Sequence, residues 1–199
     1  DCVVIPETRQ LSHGSFHRSL TNKLFQERDH LKVMLWSFHN QFLKYKMTYH
    51  PCEHDASASF ISLHGFENEN ILETQVASAL EEAKKQKVTV LIFPELTISL
   101  NVEAFMIKTL AQSNSYPLLT LFGRCHRTTD NTLDVNEALL LDPKGEVLCQ
   151  HTKLFPFSIP KPPLGEKLCC GNTLYVWETP FGNLMPLICL DFFHDTVLP

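Results

Sequence analysis

The sequence predicts a layered α/β domain with a mixed sheet, preceded by a helical segment. Three observations lead to this class. Short apolar runs alternate with amphipathic helical patterns between residues 60 and 124, and two hairpin patterns follow between residues 138 and 189. Upstream, residues 20–45 contain no glycine or proline and carry a helical apolar stripe. Alternating strands and helices favour parallel strands, and the hairpins add antiparallel ones.

Composition excludes several classes of protein. The chain has 199 residues, of which 44% are hydrophobic and 20% charged, enough to bury a core without disulfides or metal. A net charge of -5 without a Lys/Arg block argues against a nucleic-acid partner. No run of about 18 apolar residues is present, which argues against a membrane span. Seven irregularly spaced cysteines without a CxxC pair favour a reducing compartment, the cytoplasm, over a disulfide framework or zinc site.

The region before residue 60 predicts one long packing helix and then a connector. The helical stripe of residues 20–45 has two rows of positions seven residues apart, which are Leu24, Leu31, Phe38 and Tyr45, and Arg28, Leu35 and Phe42. Residues 47–59 are polar and contain a proline, as a connector does. We therefore expect residues 1–56 to form a helical N-terminal extension or linker, and residues 57–199 to form the main domain.

The alternating region predicts three strands and two helices. The strands cover residues 60–64, 88–93 and 118–124, and the second of them is apolar enough to be buried on both faces. One helical stripe consists of Leu72, Val76, Ala79, Leu80 and Ala83, and another of Val102, Phe105, Met106 and Leu110.

Two hairpins are predicted by turns that place proline early and glycine late. The first turn is Asp-Pro-Lys-Gly at residues 142–145, between extended runs at 138–141 and 147–151. The second is Thr-Pro-Phe-Gly at residues 179–182, between runs at 174–178 and 184–189.

Three residues that can carry chemistry each follow an apolar extended run. Glu95 comes after a buried strand, where ligands of α/β sheets collect, and partial burial would suit it to act as a base. Lys153 ends the first hairpin, where an ammonium could stabilise an oxyanion. Cys189 ends the second hairpin, where a cysteine could act as a nucleophile. A cationic neighbour would favour its thiolate form. Taken singly, each also fits a plainer role: a loop glutamate, an exposed lysine or a buried structural cysteine.

Taken together, these motifs resemble the nitrilase superfamily of carbon-nitrogen hydrolases over residues 60–195. The similarity lies in Phe93-Pro94-Glu95-Leu96, in the hairpin from Asn136 to Val147 that leads into Lys153-Leu154-Phe155-Pro156, and in Thr179-Pro180-Phe181-Gly182 followed by Ile188-Cys189-Leu190-Asp191. The three motifs occur in the order that the family has.

The resemblance implies an αββα sandwich, often assembled into dimers, that hydrolyses a non-peptide C–N bond of an amide, carbamoyl compound or nitrile. It implies Cys189 as nucleophile, Glu95 as general base and Lys153 as oxyanion stabiliser, with the backbone N–H of Leu190 as a second oxyanion donor. Glu166, in a Gly-Glu pair within a proline-rich loop, resembles a further glutamate that positions substrate or the lysine. No metal or organic cofactor is implied, and the partner is a small-molecule substrate. Asp191 is interpreted as supporting the site.

Family members continue with helix and strands after the cysteine, whereas ten residues follow Cys189 here. We therefore expect the C-terminal part of the sandwich to be missing and the chain to be a homo-oligomer or part of a larger protein. The alternative of another class is a catalytically silent nitrilase-like module for assembly or ligand binding. A Cys-His hydrolase would need a histidine near the cysteine, and His194 is the only candidate by position.

Overall fold

The computed structural model describes residues 10–38, 44–52, 55, 57–113, 115–128, 133–161 and 163–193. The helices are α1 (Arg18–Gln26), α2 (Glu69–Lys85) and α3 (Leu100–Ser113), and a 3₁₀ helix covers Cys189–Phe193. The first seven strands are β1 (Gln10–Gly14), β2 (Val33–Leu35), β3 (Tyr45–Pro51), β4 (Ser59–Phe66), β5 (Val90–Ile92), β6 (Leu119–Gly123) and β7 (Arg127–Thr128). The next seven are β8 (Asp134–Val135), β9 (Glu137–Leu141), β10 (Val147–Thr152), β11 (Ser158–Pro160), β12 (Pro163–Glu166), β13 (Thr173–Thr179) and β14 (Gly182–Leu184).

The largest sheet has five strands in the order β10-β9-β6-β5-β2. Strands β2, β5 and β6 run parallel, whereas β9 and β10 form the predicted antiparallel hairpin beside them. This arrangement confirms the mixed sheet and the α/β class. The parallel strands end on the same edge of the sheet, which is where Glu95 follows β5.

Apolar side chains on the two faces of this sheet enter different cores. Leu91 and Phe122 face α2 and α3, whose predicted stripes are buried against them, apart from the half-buried Phe105. Val90 and Leu119 face the other way, toward α1 and the three-stranded sheet β1-β13-β14. Successive residues of a strand point to opposite faces of the sheet. The five-stranded sheet therefore has a layer of helices on one face and a second sheet on the other.

A four-stranded sheet in the order β11-β12-β4-β3 forms a further part of the fold. Strand β12 pairs in parallel with β4 from Leu164↔Ser59 to Glu166↔Ile61. This pairing places Glu166 at the end of a strand, whereas the sequence had predicted a proline-rich loop there.

The long helix predicted over residues 20–45 is wrong. Helix α1 ends at Gln26, and strands β2 and β3 follow, each paired with a strand from later in the chain. The predicted connector at residues 47–59 is also wrong in part, because Met47 to Pro51 lie in β3. Phe42, one of the stripe positions, lies outside the described residues. The division of the chain at residue 56 stays a prediction, although β1, β2 and β3 pair with strands that follow it.

The second hairpin is shorter than predicted. Strands β13 and β14 pair across the Thr-Pro-Phe-Gly turn, but β14 ends at Leu184. Residues 185–188 are irregular, and Cys189 opens the 3₁₀ helix rather than ending a strand. His194 lies outside the described residues. In the part of the chain that the structure describes, no helix has the length and apolar character needed to cross a membrane.

Candidate active site

Glu95 lies in the turn that follows β5, held there by close packing against β6. A Cβ added to Gly123 would lie 2.5 Å from the Cα of Glu95, so only glycine lets the two backbones approach this closely. The next residue, Leu96, has a positive φ of 57°. The side chain of Glu95 keeps 26% of its surface exposed and accepts a 2.8 Å hydrogen bond from Lys153 Nζ at Oε1.

Lys153 is buried between two carboxylates. Its side chain is 1% exposed, and Nζ donates to Glu95 Oε1 at 2.8 Å and to Glu166 Oε2 at 2.7 Å. Burial alone would lower the pKa of this lysine, but the Glu166 and Glu95 carboxylates outweigh it and raise the pKa. Lys153 is therefore a fixed ammonium, and the plainer interpretation as an exposed strand-end lysine is wrong.

Glu166 is 3% exposed and receives several donors. Besides Lys153, the backbone N–H of Phe157 donates to Oε2 at 2.7 Å, and His126 Nε2 lies 3.1 Å from Oε1. Burial would raise the pKa of Glu166, but the hydrogen bond from His126 and the charge of Lys153 lower it to about 2. Glu166 is thus ionised wherever the protein is folded near neutral pH, and it anchors the lysine from the side opposite Glu95.

Cys189 is exposed and has a positive φ of 49° at the start of the 3₁₀ helix. A left-handed backbone is uncommon for a residue with a Cβ, and such conformations persist where the surrounding structure enforces them. Strained turns of this kind present nucleophiles in other hydrolases. Cys189 also lines a cavity of about 180 Å³ together with Glu95.

A cationic neighbour does favour the Cys189 thiolate, as expected, but the pKa of the thiol is raised overall. Burial and the negative charge of Glu95 raise the pKa of this thiol. The charge of Lys153 and a backbone hydrogen bond from Leu190 act in the opposite direction but are weaker. At neutral pH the cysteine therefore rests as a thiol, and a nucleophilic role would require a base to remove its proton.

Asp191 ties the cysteine turn to the lysine loop. It is fully buried, and Oδ1 accepts from the backbone N–H groups of Leu154 at 2.9 Å and Phe155 at 3.1 Å. Oδ2 lies 2.8 Å from His151 Nε2 and accepts from the backbone N–H of Ile188 at 3.3 Å. One carboxylate therefore fixes the residues on either side of the site, in agreement with its interpretation as a supporting residue.

Two buried residues join the site without having been predicted. Asn136 Nδ2 donates to Glu95 Oε1 at 2.7 Å and to Glu166 Oε1 at 3.1 Å. His126 Nδ1 accepts from the backbone N–H of Leu63 at 3.1 Å, so Nε2 carries the proton that is shared with Glu166. Asn136 begins the hairpin motif that resembles the family. It was not predicted as a site residue because an amide is not an acid or a base, and because its position in the sequence does not indicate a contact with Glu95 or Glu166.

The cavity beside Cys189 has mostly apolar walls. Besides Glu95 and Cys189, it is lined by Ile92, Phe93, Pro94, Leu121, Phe122, Gly123, Ala138, Leu187 and Ile188. A larger cavity of about 550 Å³ lies between α2 and residues 35–37, but no titratable side chain lines it. The smaller cavity is the candidate site because it brings the carboxylate of Glu95 together with the exposed Cys189.

Within the described ranges, no group of three or more His, Cys, Asp or Glu side chains is arranged to hold a metal ion. The polar groups at the site instead pair with one another, as Lys153 does with its two carboxylates. This arrangement can move a proton, hold an anion and present a thiol.

The fold is similar to that of solved amidases. An amidase from Nesterenkonia sp. AN1 matches with a TM-score of 0.53 at 15% identity, over 84% of this chain and 60% of the amidase. A carbon-nitrogen hydrolase from Helicobacter pylori G27 matches with a TM-score of 0.52 at 14% identity, over 80% of this chain and 56% of that one. At such identities the likeness shows the fold alone.

A glutamine-dependent NAD+ synthetase from Acinetobacter baumannii shares 23% identity over 68% of this chain and 27% of its own length, with a TM-score of 0.48. The chain thus spans between 27% and 60% of the length of these three structures. No curated protein matches the chain significantly.

The family model for carbon-nitrogen hydrolases matches residues 68–198. This range is more than half of the chain and contains all three motifs that resemble the nitrilase superfamily. The chain belongs to the carbon-nitrogen hydrolase family.

Proposed function

We propose that this protein hydrolyses a non-peptide C–N bond in an amide, carbamoyl compound or nitrile through a thioester on Cys189. One observation carries the proposal: Lys153 is buried between Glu95 and Glu166, and Glu95 shares a cavity with the exposed Cys189. Burying a lysine with two carboxylates is costly, and such perturbed clusters are typical of functional sites.

With an amide substrate, Glu95 takes the proton of the Cys189 thiol while the sulfur attacks the carbonyl carbon. The Lys153 ammonium and the backbone N–H of Leu190 stabilise the oxyanion. The C–N bond then breaks, the leaving amine takes the proton from Glu95, and a thioester remains. Glu95 next removes a proton from water, and the hydroxide attacks the thioester carbonyl carbon. The C–S bond then breaks, the carboxylic acid leaves, and the proton on Glu95 returns to the sulfur. Glu166 keeps Lys153 in place throughout.

The raised pKa of Cys189 supports a mechanism in which the base acts during attack. If the thiolate formed spontaneously, Glu95 would have no proton to take from it. The Nesterenkonia amidase offers a parallel, since one mutant of that enzyme carries the acetamide moiety of fluoroacetamide covalently at its active-site cysteine.

Ammonia release from a panel of small amides, nitriles and N-carbamoyl compounds tests the activity. We expect turnover by the wild type and none by Cys189→Ala. The matched control is Cys169→Ala, which makes the same change at a half-buried cysteine that has no role in the proposed mechanism. This variant should release ammonia like the wild type. Loss of Lys153 in Lys153→Met should lower kcat by about 10²- to 10³-fold. Equal ammonia release by the wild type and Cys189→Ala would refute the assignment of Cys189 as the nucleophile.

Fluoroacetamide gives a test that does not depend on turnover. We expect mass spectrometry to find the acetamide adduct on Cys189, with fluoride released. A wild type that neither turns over nor reacts with this probe would leave the silent nitrilase-like module as the better description.

The family resemblance further suggests a homo-oligomer or a place within a larger chain, acting in the cytoplasm on a small-molecule substrate. Within the described residues, no disulfide involves Cys52, Cys125, Cys149, Cys169 or Cys189, which supports a reducing compartment. Light scattering after size-exclusion chromatography tests the oligomer, since a monomeric mass for the 199-residue chain would contradict assembly through these residues alone.

A further inference from the structure

Asn136 is a buried amide that touches both carboxylates of the candidate site. It joins β8 to β9 in the chain, and its fully buried side chain donates from Nδ2 to Glu95 Oε1 at 2.7 Å and to Glu166 Oε1 at 3.1 Å. Its backbone carbonyl accepts from the N–H of Lys153 at 2.8 Å. One residue thus contacts the three charged residues around which the site is built.

The orientation of this amide follows from its neighbours. Nδ2 faces two carboxylate oxygens, and Oδ1 accepts no hydrogen bond in the described part of the structure. Rotating the amide by half a turn would point Oδ1 at both carboxylates, which can only accept. Asn136 therefore acts as a donor, and it supplies that donor without adding charge to a cluster of two carboxylates and one ammonium.

The two oxygens of Glu95 consequently differ. Oε1 receives hydrogen bonds from both Lys153 and Asn136, at 2.8 and 2.7 Å. Oε2 accepts none from the residues that the structure describes. A base has to offer a free lone pair to the proton it removes, and only Oε2 meets that condition.

We propose that Asn136 is a positioning residue, an inference that rests on the proposed function. Asn136 holds Glu95 Oε1 beside Lys153 and leaves Oε2 free to take the proton of the Cys189 thiol. The S–H bond breaks, the sulfur keeps the electron pair, and the proton on Oε2 is the one later passed to the leaving amine. Without Asn136, the partly exposed Glu95 side chain keeps one donor and can rotate toward water.

Two substitutions test this role in the full chain. Asn136→Asp keeps the shape but places a third carboxylate beside Glu95 and Glu166, and Asn136→Leu removes the donor. Either change disfavours the ionised form of Glu95, through an added like charge in Asn136→Asp or a lost hydrogen-bond donor in Asn136→Leu. We expect kcat to fall about 100-fold with KM changed less than about threefold. The acidic limb of kcat/KM against pH should move to higher pH.

Asn70→Asp is the matched control, because it makes the same change at an exposed position of α2, away from the site, and should leave the acidic limb in place. Circular dichroism and thermal unfolding establish that each variant is folded. If Asn136→Leu does not fold, Asn136→Asp decides, because its side chain has nearly the same volume. Loss of activity with an unmoved acidic limb would mean that Asn136 only supports the fold and would overturn the proposal.

¹³C NMR of the Glu95 carboxyl at constant pH separates this inference from the proposed function, since it needs no turnover. A shift of the Glu95 carboxyl signal toward that of the protonated form in Asn136→Asp supports the positioning role, and an unchanged signal overturns it. Absence of Cys189-dependent turnover in the wild type overturns the proposed function instead.

Discussion

Replacing the carboxylate of Asp191 is the strongest single test of how the site is held together. It is fully buried and accepts four hydrogen bonds, two at each oxygen. Asp191→Ala removes the buried acceptor of all four hydrogen bonds. Asp191→Asn keeps one oxygen, but its NH₂ group then faces two of those donors.

The magnitude follows from the number of donors affected. Removing the acceptor of a buried hydrogen bond costs about 1–3 kcal/mol, so losing all four bonds predicts about 4 kcal/mol or more for Asp191→Ala. Two affected hydrogen bonds predict about 2–6 kcal/mol for Asp191→Asn. Because domains are stable by only about 5–15 kcal/mol, the alanine variant should lose a large part of its stability.

Urea unfolding followed by circular dichroism measures these differences, provided that the transition is two-state. Asp142 supplies the control, because its Oδ1 also accepts two backbone N–H groups, from Lys144 and Glu146, but in an exposed turn. Water replaces the lost partners there, so Asp142→Asn should cost less than about 1 kcal/mol. Equal losses for Asp191→Asn and Asp142→Asn, or a loss below about 1 kcal/mol for Asp191→Ala, would refute the reasoning.

Three further outcomes are expected. Because the pKa of Glu166 is lowered from 4.5 to about 2, wild-type stability should fall as pH drops through that window, and Glu166→Gln should flatten this dependence in acid-unfolding curves. Gly123→Ala should lower the Tm, because its Cβ would meet the Glu95 backbone at 2.5 Å. Iodoacetamide should label Cys189 fastest of the six described cysteines, since it alone is exposed. The labelling rate should keep rising above pH 9.0, because the pKa of this thiol is raised above that ordinary value.

Each outcome has a result that would contradict it. A Glu166→Gln curve parallel to the wild type between pH 4.5 and about 2 would mean that Glu166 is not ionised preferentially in the folded state. The control for Gly123→Ala is Gly182→Ala, where the added Cβ meets nothing within 4 Å and only the positive φ is unfavourable. A larger loss of Tm at Gly182 would contradict the packing argument. Mass spectrometry that finds preferential labelling at Cys52 or Cys169 would contradict the accessibility of Cys189.

Local patterns predicted the central elements because those elements bury their own apolar residues. The stripe from Leu72 to Ala83 lies in α2, and the Asp-Pro-Lys-Gly turn joins β9 to β10 as expected. The same method failed over residues 20–45, where a helical period coincided with strands. Strands β2 and β3 are largely exposed, so burial does not give their apolar residues the alternating pattern of a strand, and long-range pairing with β5 and β4 decides their conformation.

The sequence by itself determined the α/β class, the family resemblance and the three residues Glu95, Lys153 and Cys189 as candidates for chemistry. It could do so because each of them ends an apolar run or stands in a motif, which are features of neighbouring positions. The tertiary structure alone decided that Lys153 is buried between two carboxylates, that Asn136 and His126 hold those carboxylates, and that the Cys189 thiol is stabilised in its protonated form. Those properties depend on burial and on charges brought together over 13 to 58 sequence positions, and no local pattern records them.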